Sequence, residues 1–288
     1  MPQPIYLQYD QAALDAQYNL RAAVPEHPEH FCRWAEASAA ARERLDGHLD
    51  LAYGDHPKQT LDYFPAPVNA APILAFIHGG YWQALDKSDF SFPAPVWAER
   101  GVSFASINYP LAPEAGIPEI LESCRAAALW LWHNAAALGA DRKRIFLAGH
   151  SAGGHLATLL LATDWTSFGA LPADLVEGAC SVSGVYDLEP IRLSYQNPGL
   201  KLDAATARAM SPIHARPPQD RPLLVAVGGA ETPEFLRQQQ AFAERWTAAG
   251  ARIDQLVLDG LNHYEAVECL ADSGSPAFTW LERRLAGR

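Results

Sequence analysis

The sequence predicts an α/β architecture, a mostly parallel central sheet flanked by helices, and three observations carry that expectation. From about residue 61 onward, short apolar runs rich in β-branched and aromatic residues alternate with longer segments of helical period. Each run ends near a Gly, a Pro or a small polar residue, as strands entering turns do. The chain has 288 residues, 49% hydrophobic and 19% charged, which suits a globular protein able to bury one sheet-centred core. One domain over residues 1–288 is expected.

The strands expected in order are 61–64, 73–77, 102–108, 144–148, 179–183, 223–227 and 253–258. Between the third and fourth, Ile120, Leu121, Cys124, Ala128, Leu131, Ala135 and Leu138 recur at spacings of three and four, an apolar helical stripe that packs on a sheet. Phe235, Gln239, Phe242 and Trp246 repeat that spacing after Thr232-Pro233, an N-cap followed by Pro at the first helical position. Residues 1–60 read as a mostly helical N-terminal extension, broken at Pro25-Glu26-His27-Pro28 and free of chemical motifs. Residues 185–220, rich in Pro and turn residues, are too long for an ordinary strand-to-helix loop and read as a cap-like insertion.

Charge narrows the partners. With 22 Lys and Arg against 33 Asp and Glu, the formal charge is −11, which repels nucleic-acid phosphates and anionic lipid headgroups. No run approaches the ~18 apolar residues of a membrane span, and the N-terminal residues lack the basic and apolar regions of a secretory leader. A cytoplasmic protein without membrane attachment is expected. Cys32, Cys124, Cys180 and Cys269 lie far apart with no C-x-x-C pair, so free thiols are expected. No His, Cys and carboxylate group has ligand spacing, so neither metal nor cofactor is expected.

The chemistry is written in the segment RIFLAGHSAGGHLATLLLA, which contains G-x-S-x-G at Gly149, Ser151 and Gly153. The bare pattern would arise by chance in about one chain in ten of this length. Here an apolar strand precedes it and an apolar helix follows, the context of the nucleophile elbow of α/β-hydrolases. A turn tight enough to lift the Ser hydroxyl above the sheet leaves no room for Cβ atoms two residues away on either side, hence the glycines. Ser151 is the candidate nucleophile.

Upstream, the strand PILAFI runs into His78-Gly79-Gly80-Tyr81-Trp82, an H-G-G turn in the chain position of an oxyanion loop. The N–H groups of Gly80, Tyr81 and Ala152 are the candidate donors to a developing oxyanion. His78 reads as structural, holding that loop by a hydrogen bond.

In α/β-hydrolases the order along the chain is Ser, acid, His. Only His155, His214 and His263 follow Ser151. His155 lies one turn inside the elbow helix and His214 has no strand before it, whereas His263 follows the last strand on a short loop. His263 is therefore the candidate general base. The first carboxylate after the strand LLVAV is Glu231, the candidate acid that fixes the imidazole tautomer. Asp259 and Glu234 compete with it, the first only four residues before His263 and the second inside the following helix.

Taken together, H-G-G-Y-W-Q at 78–83, G-H-S-A-G-G-H-L at 149–156, Asp164-Trp165-Thr166, S-G-V-Y-D-L-E-P at 183–190 and Pro233-Glu234-Phe235 resemble the α/β-hydrolase kynurenine formamidases, relatives of hormone-sensitive-lipase-type esterases. Glu231 stands where members of that family carry Asp. The resemblance implies hydrolysis of N-formyl-L-kynurenine to formate and L-kynurenine, with a carboxylesterase acting on small acyl or aryl esters as the alternative and a non-catalytic hydrolase-like binding module as a more distant one. It is compatible with a homodimer, and the sequence leaves the oligomeric state open. An aromatic substrate needs an apolar pocket, for which Trp82 beside the oxyanion loop and Tyr186 are expected as walls, joined by Tyr81 and Tyr195.

Overall fold

A computed structural model describes residues 3–286. Three helices come first, α1 (Gln11–Tyr18), α2 (Leu20–Ala23) and α3 (His27–Arg44), followed by strands β1 (His48–Ala52), β2 (Thr60–Phe64) and β3 (Ala71–Ile77). Then α4 (Ala94–Glu99), β4 (Ser103–Ile107), α5 (Ile117–Asn134), β5 (Ala140–His150), α6 (Ala152–Leu161) and β6 (Gly178–Val182) alternate. The short helices α7 (Glu189–Leu193), α8 (Asn197–Leu200) and α9 (Ala204–Ala209) fill the segment before β7 (Pro222–Gly228). The chain ends with α10 (Pro233–Ala248), β8 (Arg252–Leu258), α11 (His263–Ala266) and α12 (Pro276–Leu285).

The strands form one eight-stranded sheet in the order β1-β2-β4-β3-β5-β6-β7-β8. β1 and β2 run antiparallel to their neighbours, and from β4 to β8 every pairing is parallel. This is the expected α/β class. All seven expected strands are present, within a few residues of their expected bounds.

The interior strands β3, β4 and β6 are buried at every position, as a sheet covered on both faces requires. The stripe expected on α5 is buried at Ile120, Leu121, Cys124, Ala128 and Leu131. On α10 Phe235, Gln239, Phe242 and Trp246 are buried together.

Two local differences from the sequence reading have physical causes. Strand β1 lies inside the segment read as helical, and four of its five residues are exposed, so no hydrophobic alternation marks it. It is held by pairing with β2 and by Lys87, whose ammonium lies 2.7 Å from Asp50 on β1 and 2.5 Å from Asp62 on β2. Thr232 occupies the N-cap of α10, but its hydroxyl donates to the carbonyl of Gln17 at 2.8 Å instead of capping the helix. That bond ties α10 to the N-terminal helices.

Candidate active site

The tight turn after β5 is built as its glycines require. Ser151 adopts φ 57° and ψ −118°, a sparsely populated backbone region for an L residue. A Cβ on Gly149 would meet the Gly153 carbonyl oxygen at 2.1 Å, and one on Gly153 would meet the Ile77 carbonyl oxygen at 1.9 Å. Both close approaches are to backbone, which cannot swing aside. The turn is pinned by Ser151 N–H donating to Val182 O at 2.8 Å, and Ser151 caps α6, whose first N–H groups have no intrahelical acceptor.

The H-G-G loop lies directly against this turn, since a Cβ on Gly79 would come within 3.0 Å of the Ser151 Cβ. Gly80, Tyr81 and Trp82 all have positive φ, which turns successive peptides sharply. Among the described residues, the N–H groups of Gly80 and Tyr81 donate to no acceptor. Ala152 supplies the first N–H of α6. His78 braces the loop: its Nε2 contacts Asn108 Oδ1 at 3.0 Å and its ring stacks on Tyr109 at 4.3 Å, while Tyr109 Oη donates to the His78 carbonyl at 2.8 Å. Burial lowers the His78 pKa, which suits a neutral structural imidazole.

His263 begins α11 immediately after the turn that follows β8, where Asn262 and Glu265 form a capping box. Its Nδ1 lies 2.6 Å from Glu231 Oε2, and both side chains are buried. Because a carboxylate only accepts, Nδ1 carries the proton and Nε2 presents a lone pair. The other carboxylate oxygen, Oε1, accepts from Ser183 Oγ at 2.5 Å and from Gly228 N–H at 2.8 Å. Glutamate's extra methylene is thus absorbed by folding the side chain back onto the end of β7, with both oxygens satisfied.

Neither competing carboxylate is bonded to His263. Asp259 is exposed and has no hydrogen bond to His263, while Glu234 accepts from Arg237 at 2.8 Å and from Tyr18 Oη at 3.1 Å. Among the other histidines, His155 Nε2 donates to the Met210 carbonyl at 2.7 Å, with its pKa lowered by burial to about 4. His214 is exposed.

Ser151, Gly80, Tyr81 and His263 line one cavity of about 310 Å³. Ser151 Oγ and His263 are not joined by a hydrogen bond, but both line this one cavity. His150, beside the nucleophile, also lines the cavity. Its Nε2 donates to the His263 carbonyl at 2.9 Å, and burial holds its pKa well below that of a free imidazole.

The expected aromatic walls need correction. Trp82 is fully buried away from the cavity, with its ring edge-on to His155 at 4.9 Å. Its positive φ turns the side chain under the loop instead of into the pocket. Tyr186 is equally buried, stacked on Phe242 at 4.2 Å and donating to Ser181 Oγ at 2.9 Å. The other two expected walls, Tyr81 and Tyr195, do line the cavity, and Phe31 and Trp34 of α3 and Tyr264 beside the base take the places expected of Trp82 and Tyr186.

Phe31, Trp34 and Tyr264 pack on one another with ring centroids 5.4 to 6.1 Å apart. The signal was present in the sequence: His27, His30, Phe31 and Trp34 recur at helical spacing, an aromatic face richer than a helix merely covering a sheet needs. Ser183, which opens the S-G-V-Y-D-L-E-P run, is a further site residue, bonded to the acid through its hydroxyl.

Parallel sheet, elbow turn, and acid and histidine on the loops after β7 and β8 define an α/β-hydrolase. The chain belongs to that family and is a hydrolase. Residues 62–191 match the BD-FAE family. Relatives narrow the class: a kynurenine formamidase of Danio rerio is 28% identical over 250 residues, 84% of this chain and 83% of that protein. Esterase LipC of Mycobacterium tuberculosis is 29% identical over 83% of this chain and 64% of that protein. A crystal structure from Silicibacter sp. tm1040, described as a candidate thioesterase, superposes with a TM-score of 0.82 at 32% identity, covering 95% of this chain and 98% of that one. The resemblance to kynurenine formamidases carried by the motifs therefore extends over most of the chain. No described helix is long and apolar enough to cross a membrane.

Proposed function

We propose that the protein hydrolyses the formamide of N-formyl-L-kynurenine, releasing formate and L-kynurenine, with Ser151 as nucleophile, His263 as general base and Glu231 as its orienting acid. The observation that carries the proposal is the 2.6 Å His263–Glu231 pair facing the same aromatic-lined cavity as Ser151, in a chain whose kynurenine formamidase relatives span more than four fifths of it. In this reading Ser151 Oγ attacks the formyl carbon while His263 Nε2 takes its proton. The oxyanion is held by the N–H groups of Gly80, Tyr81 and Ala152. Collapse expels the arylamine, protonated by His263, and leaves a formyl ester on Ser151. Water activated by the same imidazole then cleaves that ester.

The substrate suits the site chemically. A formyl carbon bears only hydrogen, so attack is unhindered, and an arylamine leaves more readily than an alkylamine because its lone pair is delocalised into the ring. Phe31, Trp34 and Tyr264 supply the apolar faces that an aryl ring stacks on. The α1–α3 segment and residues 185–220 together act as the cap over the site. A cytoplasmic enzyme is consistent with four free cysteines, three of them buried. A carboxylesterase acting on small esters is the second reading, favoured by the likeness to Esterase LipC.

Steady-state assays of N-formyl-L-kynurenine beside p-nitrophenyl acetate decide between them. A kcat/KM for the formamide at least comparable with that for the ester is expected, and a much lower one transfers the assignment to the esterase reading.

A further inference from the structure

The cavity carries a net chemical bias that the hydrolytic machinery does not use. Its wall contains no Asp or Glu, and its histidines, His150 and His263, sit on the floor beside Ser151. One permanent cation lines it, the exposed Arg21 of α2. Among the described residues Arg21 takes part in no salt bridge and no side-chain hydrogen bond, although carboxylates outnumber basic side chains in this chain by half. Other described arginines also lack a carboxylate partner, Arg208 and Arg252 among them, but of these unpaired arginines Arg21 is the one that lines the cavity of Ser151.

The backbone that carries Arg21 is held in place. Tyr18, three residues earlier, is buried, with its hydroxyl donating to Glu234 and accepting from Gln238 at 2.8 Å. Its carbonyl accepts from the hydroxyls of Tyr81 at 2.9 Å and Tyr195 at 3.3 Å, both residues of the cavity wall. Asn19 ends α1 and its side chain caps α2, accepting from Ala22 N–H at 3.2 Å, so the chain kinks and Asn19, Leu20 and Arg21 all face the cavity. The Arg21 charge is felt at the hydroxyls of Tyr195 and Tyr264 across the opening, where it opposes their burial-raised pKa values.

We propose that Arg21 is the specificity-determining residue that binds a carboxylate on the substrate, at the end of the molecule remote from the bond broken at Ser151. The inference rests on the formamidase reading and deepens it: the ligand it selects is an aryl formamide bearing an aliphatic carboxylate, in preference to neutral formamides and esters. A guanidinium offers a carboxylate paired N–H donors in one plane, and a net-negative protein must supply such a local cation if an anionic substrate is to enter. Arg21 touches the substrate without touching the reacting atoms, so it acts on binding.

The test compares wild type, Arg21→Lys and Arg21→Gln on two substrates, N-formyl-L-kynurenine and ortho-formamidoacetophenone, which keeps the aryl formamide but has no carboxylate. For the acid, Arg21→Gln is expected to raise KM about 10- to 100-fold with kcat within about 3-fold, and Arg21→Lys to recover part of the loss. For the neutral formamide all three proteins are expected to agree within about 2-fold, since no charged partner is lost. Equal effects on the two substrates, or none on the acid, overturn the inference while leaving the formamidase reading intact. A wild type inert toward both formamides overturns that reading, and the inference with it.

Discussion

The cavity has a floor and a roof, and they are made differently. The floor is the carboxyl edge of the parallel sheet: Ser151 after β5, Glu231 after β7 and His263 after β8, each on a short turn fixed by backbone hydrogen bonds. The roof is assembled from segments distant in sequence. Leu20, Arg21, Phe31 and Trp34 come from the N-terminal helices, and Tyr195 and Gln196 from the segment between β6 and β7. The difference teaches that reaction type and substrate choice are stored separately in this chain. Strained turns and buried pairs define the chemistry, and helices packed over them line the way in.

If this division is correct, substitutions in the floor lower turnover of every substrate, and substitutions in the roof separate substrates from one another. The largest effect is expected for Ser151→Ala, with kcat falling by about 10⁴-fold or more on formamide and ester alike, and a melting temperature close to wild type. Thermal melts run beside the assays check that the loss is chemical. Retained turnover would remove Ser151 as nucleophile.

Next comes Glu231→Gln, with an expected loss of about 10³- to 10⁴-fold, because an amide cannot hold the Nδ1–H tautomer while also accepting from Ser183 and Gly228. Asp259→Asn is expected to stay within about 2-fold, its side chain being exposed and outside the relay. The reverse ranking in parallel assays would move the acid to Asp259.

In the roof, Phe31→Leu is expected to raise KM for the aryl formamide about 3- to 10-fold, the value of one aromatic contact, and to leave kcat for p-nitrophenyl acetate nearly unchanged. Equal changes in both would make Phe31 a packing residue. The smallest kinetic effect is expected for Trp82→Phe. Its indole lies in the core, so stability should fall by about 1–3 kcal/mol in denaturant melts while KM stays within about 2-fold. A large KM change there would restore Trp82 to the pocket.

The same contrast explains what could be read from the sequence. The strands were legible because interior parallel strands are apolar at nearly every position, and β3 is buried at all seven of its residues. The elbow was legible because its steric demand falls on two glycines at fixed spacing. Glu231 and His263 followed from their order after the last strands.

Strand β1 escaped notice because its residues are mostly exposed and its hold on the sheet comes from the Lys87 ion pairs, which join distant segments. Trp82 and Tyr186 lie near the loop and the insertion in sequence but outside the cavity lining. Side-chain direction, set by the positive φ of Trp82 and by the stacking of Tyr186 on Phe242, places them there. The aromatic face of Phe31 and Trp34 is legible as a helical stripe, but its place in the pocket, like that of Arg21, exists only once α1 to α3 dock against α10, through contacts such as Thr232 to Gln17 and Tyr18 to Glu234.

The central claim, that Ser151 becomes covalently bonded during turnover at the floor of this cavity, is tested most directly by treating the enzyme with an aryl phosphonate and mapping the adduct by peptide mass spectrometry. The account predicts one adduct, on Ser151, forming in step with loss of formamidase and esterase activity and slowed by L-kynurenine. Activity surviving full modification of Ser151, or lost with that residue unmodified, would contradict it.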